Sequence, residues 1–112
     1  MILLKAGDDE VLTIAIDGPD GTPLDLTGYE VRWKIVSAAG FALEKVTPTG
    51  IVLAPQTGQS VGVAYVSIDA ADLASITETT EMSFEVQIKG ADEKRKTPIE
   101  GQAIVRPQII TA

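Results

Sequence analysis

At 112 residues the chain can bury a core of its own without covalent staples, and it reads as one domain spanning residues 1–112. It has no cysteine and no histidine, which excludes a disulfide frame, thiolate chemistry, Cys-based zinc sites and the usual general base near neutral pH. A net charge of −7 and a pI near 4.4 set the surface against phosphate backbones and anionic bilayers, so neither nucleic acid nor membrane is expected as a partner.

The first five residues, Met1-Ile2-Leu3-Leu4-Lys5, are apolar and are followed at once by acidic ones. They are too few for the apolar core of a signal peptide, and no later run approaches a membrane span. Synthesis in the cytoplasm, where the chain either stays or leaves by a route that needs no signal, is the expectation. The segment itself reads as a short edge strand. Ala6-Gly7-Asp8-Asp9 is a turn cluster. Residues 10–16 then alternate, with Leu12, Ile14 and Ile16 on one side and Val11, Thr13 and Ala15 on the other, the pattern of a half-buried strand. Residues 17–23 hold nearly every turn-forming residue type. Leu24 and Leu26 are expected to tuck back under the edge of the fold.

Residues 25–37, DLTGYEVRWKIVS, carry the clearest strand signal. After the turn Leu26-Thr27-Gly28, one face holds Tyr29, Val31, Trp33 and Ile35, and the other holds Glu30, Arg32 and Lys34. The single tryptophan makes this an inner strand of a sandwich, with Trp33 as the core plug. Residues 38–40 turn, 41–46 pair back as a short strand, 47–50 turn again and 51–53 form a brief strand. A loop over 54–59 leads to a Val-rich strand at 60–68 that contains Tyr65. Both its faces are apolar or small, which leaves its inner face open.

Residues 69–76 are the one helical stretch, with Asp69 in the N-cap position. Residues 81–89 are a second clean strand, with Met82, Phe84, Val86 and Ile88 inward and Ser83, Glu85, Gln87 and Lys89 outward. A polar hairpin loop at 90–95 precedes the last strand, 96–105, which Pro107 ends. Residues 108–112 form a short apolar tail. Seven to eight short strands with turn signals between them and one short helical turn predict an all-β antiparallel β-sandwich.

Few motifs point to chemistry. Gly58-Gln59-Ser60-Val61-Gly62 matches the G-x-S-x-G pattern of serine hydrolases, but there is no histidine to take a proton from Ser60, and a strand follows where that motif needs a helix. Asp17-Gly18-Pro19-Asp20-Gly21 resembles a calcium loop, with Asp8, Asp9 and Asp25 as further oxygen donors. Pro19 stands where an EF-hand has an acidic ligand, and aspartates also simply favour turns. Lys94-Arg95-Lys96 reads as a solvated hairpin tip. Glu85 is placed to pair with Arg32 or Lys34 across neighbouring strands. A carboxylate pair at Glu85 would otherwise suggest glycoside chemistry, but the few aromatics are needed in the core. The apolar ends are the candidate assembly contacts: Leu3, Leu4, Ile109 and Ile110 either fold back as edge strands or pair with another chain.

The order of these segments resembles a family of small phage and prophage virion proteins, similar to the N-terminal domain of phage baseplate upper proteins. Gly7-Asp8-Asp9 is similar to the turn that opens the family pattern, and Gly21-Thr22-Pro23-Leu24-Asp25-Leu26-Thr27-Gly28 to its Gly-x-Pro-x-Asp-Leu-Thr-Gly signature. Arg32 and Lys34 offer charges comparable to an arginine the family carries near the end of the following strand. Residues 66–73 resemble its strand and Asp-rich helix, Met82-Ser83-Phe84-Glu85-Val86 its aromatic-x-aromatic-Glu strand, and residues 97–105 its closing strand. Met82 replaces the expected aromatic, and no glycine lies between Thr77 and Glu81 where the family has one.

The resemblance implies an Ig-like sandwich and a structural role in a virion, in the tail, baseplate or fibre-attachment region. It implies other phage structural proteins as partners, a homo-oligomer, no catalytic residue, no cofactor and no metal. The alternative reading is a non-catalytic surface- or glycan-binding sandwich, calcium-dependent or not, with residues 17–23 as its site. An enzyme limited to carboxylates is the third.

Overall fold

In a computed structural model, which describes residues 1–108, the alternating segments become strands. They are β1 (Ile2–Lys5), β2 (Glu10–Ala15), β3 (Glu30–Ser37), β4 (Ala42–Val46), β5 (Ile51–Leu53), β6 (Val63–Ile68), β7 (Thr80–Lys89) and β8 (Arg95–Arg106). Two sheets result, one ordered β1-β8-β7-β3-β4 and the other β2-β6-β5. Every pairing is antiparallel except that of β1, which lies parallel on β8. Third, seventh and eighth strands in one sheet, facing second, fifth and sixth in the other, is the strand partition of an immunoglobulin-type sandwich. The expected all-β, Ig-like fold is therefore present.

The period-2 pattern explains the packing. Val31, Trp33 and Ile35 of β3 turn inward and are buried, as are Met82, Val86 and Ile88 of β7 and Ala103 and Val105 of β8. Facing them are Ile14 of β2, Ile51 of β5, and Ala64, Val66 and Ile68 of β6, which settles the inner face of β6. That strand starts three residues later than the pattern predicts, because residues Gly58–Ser60 form a 3-10 turn. Gly62 then passes with φ +83, so close to the backbone of Ile16 and Leu24 that a Cβ there would strike the Ile16 carbonyl.

The signature around Asp25 has a purely local explanation. The Asp25 carboxylate accepts the Thr27 N–H at 2.9 Å and the Thr27 hydroxyl at 2.7 Å. Leu26 is buried, and Gly28 takes φ +81 to enter β3. Each residue of Asp-Leu-Thr-Gly shapes the entry to the central strand, which makes the motif one of folding.

Residues 69–76 differ from expectation: they are consecutive turns rather than a helix. Asp72 N–H donates to Asp69 O at 2.9 Å, Ala74 N–H to Ala71 O at 3.3 Å and Ile76 N–H to Leu73 O at 3.0 Å, all i to i+3. So short a segment cannot repay helix nucleation, and Leu73, buried in the core, fixes its path. Asp69 does not cap. The Asp72 carboxylate reaches back to the Asp69 N–H at 2.7 Å, and Lys45 of β4 lies 2.8 Å from the same oxygen.

Partial burial opposes ionisation of Asp72, but Lys45 and the Asp69 N–H together hold its carboxyl below the ordinary aspartate range. Because the folded pKa lies below the unfolded one, this contribution is full above 3.8 and is lost as the pH falls through the folded value. Asp72→Ala is expected to lose about 1–2 kcal/mol at neutral pH. Urea unfolding of both proteins across pH checks it: the gap should narrow below 3.8.

Strand β8 carries Pro98 in its interior, a position a central ladder would reject. Ile99 faces Val86 while Lys96 faces Ile88, so β8 has one residue more than β7 here and bulges at Thr97-Pro98.

Candidate functional site

The two outer faces of the sandwich differ in charge. On the five-stranded sheet Arg32 sits between Glu30, at 3.1 Å, and Glu44, and Lys34 lies 4.0 Å from Glu44. The hydrogen bond from Arg32 holds the Glu30 carboxyl below its usual range. Glu85 stands directly across from Lys34 but forms no ion pair with it or with Arg32, as Glu44 of β4 takes both cations. On its other side Glu85 faces Glu100 in register. These groups are solvated, and their pairing contributes little to stability.

The outer face of the three-stranded sheet is uncharged. It is built from Val11, Thr13 and Ala15 of β2, Val63, Tyr65 and Ser67 of β6, and Val52 of β5. Thr13 and Val52 flank Tyr65 across the strands. Val11 is 64% exposed and Val52 59%, on a chain in which more than one residue in five is charged.

The same face ends in an open edge. Ile16 N–H donates to Gly62 O at 2.8 Å, and Ile16 is the next residue in the β2–β6 register. Ladder alternation then turns the N–H and C=O of Val11, Thr13 and Ala15 away from β6, where no strand among the described residues pairs with them. Edges are normally blunted by Lys, Pro, a bulge or brevity. Beyond Glu10, β2 has no charge, no proline and no register shift. The other edges are protected: β4 carries Glu44 and Lys45, β5 has three residues, β1 has four and ends in Lys5, and the part of β8 that β1 leaves uncovered carries Arg95, Lys96, Glu100 and the bulge at Thr97-Pro98.

Beneath the β2 edge the sandwich mouth stays open as a groove of about 230 Å³, lined by Ile2, Leu12, Trp33, Phe84, Val86 and Ile99 among others. Strand β1 covers only residues 103–106 of β8, and no strand among the described residues closes the mouth farther along. Phe84 lies flat over its cross-strand neighbour Gly101, where a Cβ would meet its ring.

At one end of the sandwich a second concavity, about 430 Å³, lies between residues 17–19 and the β7–β8 hairpin. Its floor includes Leu24, Tyr29, Ile88 and Pro98, and its rim Asp17, Asp92, Lys94 and Lys96. The basic run Lys94-Arg95-Lys96 thus starts at the hairpin tip and continues into β8.

The other candidates are placed as follows. Ser60 donates its hydroxyl to Thr57 O at 3.0 Å and closes the 3-10 turn. Two of the calcium-loop aspartates are turned onto their own loops. Asp20 accepts from Thr22 and Asp25 from Thr27, and those hydroxyls hold both carboxyls below their usual range. Asp9 accepts the Ala70 N–H at 2.7 Å, tying the first turn to the one after β6. Among the described residues no three acidic side chains are grouped to hold a metal ion.

Of the apolar ends, Leu3 is 60% exposed, whereas Leu4 is 2% exposed. Leu4 takes the first of its two expected courses and folds back as an edge strand: β1 lies on β8 with Leu4 across from Val105, so both side chains enter the core and Leu4 is not free to meet another chain. Ile109 and Ile110 lie outside the described residues.

Pattern reading missed Gln56 and the β2 edge. Neither has a sequence signature of its own, since one is a lone amide in a loop and the other is defined by the absence of a neighbour. No protein-family model matches the chain, and no curated protein matches it.

Proposed function

We propose that this chain is a non-catalytic structural part of a phage or prophage virion, in the tail, baseplate or fibre-attachment region, working through protein–protein assembly. The observation that carries the assembly role is the uncharged, unblunted β2 edge above an apolar groove, on a chain whose other outer face is charged. Soluble sandwiches blunt such an edge unless a partner covers it. The virion setting draws on the resemblance centred on residues 21–28. A virion part needs no catalytic base, and it is present in symmetry-related copies with other structural proteins beside it.

Purified particles from the host that carries the gene test this reading. Mass spectrometry is expected to find the chain at a fixed copy number per particle. Its absence from intact, tailed particles overturns the virion assignment.

A second reading, a surface- or glycan-binding module, is favoured by the concavity between residues 17–19 and the β7–β8 hairpin. Loops at that end of an Ig-type sandwich are free to vary without disturbing the core.

A further inference from the structure

We infer that the open edge of β2 accepts one β-strand from a partner protein, a strand that alternates apolar residues and carries Lys or Arg at both ends. This rests on the assembly reading above and names the chemistry of the partner.

Three features define the acceptor. Backbone comes first: Val11, Thr13 and Ala15 present three N–H and three C=O groups along one line, free of any strand partner among the described residues. An added strand satisfies them in the way an edge is satisfied by strand addition elsewhere. The groove comes second. Alternate side chains of the incoming strand point inward, into the space between Leu12 of β2 and Phe84, Val86 and Ile99 of the opposite sheet. Those side chains are apolar, because the lining is. The outward residues extend the uncharged surface of Val11, Thr13 and Tyr65.

Charge comes third, and it selects the partner. Asp8, Asp9 and Glu10 stand at the start of β2 and Asp17 just past its end. Partial burial and the nearby Asp8 push the Glu10 carboxyl up, so carboxylates already crowd this end. An incoming strand with a cation at that end relieves the crowding, and a cation at its other end meets Asp17.

A second copy of this chain brings the opposite. Pairing β2 antiparallel with another β2 about a twofold axis sets Asp8 near Asp17 of the other copy, twice over. Each copy also carries a net charge of −7. Like charges at both ends disfavour that pairing, and a heterologous strand is the occupant.

The probe is a synthetic peptide with blocked ends, Lys-Val-Thr-Val-Thr-Val-Lys, titrated into the full chain and followed by backbone NMR and amide exchange. Saturable shifts are expected, centred on Val11, Thr13 and Ala15, with exchange of those amides slowed at least tenfold. The same peptide with Glu in place of both Lys is expected to bind at least tenfold more weakly, and added salt to narrow the difference. Thr13→Pro removes an outward N–H that β6 does not use, as edge prolines do, and is expected to cost at least tenfold in peptide affinity. The charge-reversed peptide keeps the test decisive if that variant folds poorly.

No shift at millimolar peptide, or equal binding of the two peptides, overturns the inference. So does concentration-dependent pairing of the free chain through the same amides, which would make a second copy the occupant. Purified particles separate this inference from the function it rests on. Normal incorporation of Thr13→Pro overturns the strand acceptor and leaves the virion reading, whereas peptide binding by a chain absent from particles does the reverse.

Discussion

Trp33→Ala is expected to destabilise the fold by about 3–5 kcal/mol, the largest single-site loss in the chain. Typical domains hold about 5–15 kcal/mol in total, so this loss is a large fraction of the whole. Trp33 is 1% exposed and sits in β3 with Val86 and Lys45 as its cross-strand neighbours. Hydrogen-bonded ladders on both sides hold β3 in place, so the sheet cannot collapse into the void. One wall of that void is the groove beneath β2, which lets water in rather than leaving a dry cavity. Trp33→Phe keeps a ring in the core and is expected to lose about half as much. Urea unfolding followed by far-UV circular dichroism measures both, since the variants lack the only tryptophan. A loss below about 1 kcal/mol for Trp33→Ala would contradict the packing described for β3.

Gln56→Ala is expected to cost about 2–4 kcal/mol, although the side chain belongs to a loop and is only part-buried. Its Oε1 accepts the Leu26 N–H at 2.8 Å and the Gly62 N–H at 3.0 Å. Its Nε2 donates to Ala54 O at 2.8 Å and lies 3.3 Å from Val63 O. One amide therefore ties the entry to β3, the exit from β5 and the start of β6. Alanine leaves donors and acceptors of three segments without partners where water has restricted access, and each such group costs about 1–3 kcal/mol before relaxation. Gln56→Glu separates the two halves of the amide. It keeps acceptors for Leu26 and Gly62 but turns a carboxylate oxygen toward two carbonyls, so its loss should fall between wild type and alanine near neutral pH. Thermal unfolding of the three proteins orders them; equal stability of wild type and Gln56→Ala would contradict the clamp.

Trp33 and Gln56 also mark what pattern reading can reach. Strands β3 and β7 are legible because a strict period of two, with charges on the outward positions, has one folded solution. Tyr65 and its neighbours in β6 are less so: small and apolar residues on both sides leave the inner face to the register with Ile14 and Ile51. Residues 69–76 have helical composition, yet Leu73 is held in the core and Ala70 and Asp72 are tied by Asp9 and Lys45. Those ties are long-range and leave no local signal. Glu85 was expected to meet Arg32 or Lys34, but Glu44, on the opposite flank of β3, reaches them first.

The candidate surface is the least legible part. An alternating strand such as β2 looks the same in sequence whether a neighbour covers its edge or not. Its openness follows from the sheet order, in which β1 joins β8 and leaves β2 without a second partner among the described residues. The apolar termini drew attention first, yet Leu4 belongs to the chain's own core. The uncharged outer face becomes visible only when Val11, Thr13, Val52 and Tyr65 are brought side by side.

The most direct test of an assembly role for the β2 edge is amide hydrogen exchange on the chain alone and in its assembled state, read over the segment Glu10–Ala15. The free chain is expected to exchange quickly at Val11, Thr13 and Ala15 and slowly at Leu12 and Ile14, whose amides face β6. Assembly is expected to slow the first three at least tenfold. If those amides exchange at the same rate in both states while another surface gains protection, the edge of β2 is not where this protein meets its partner.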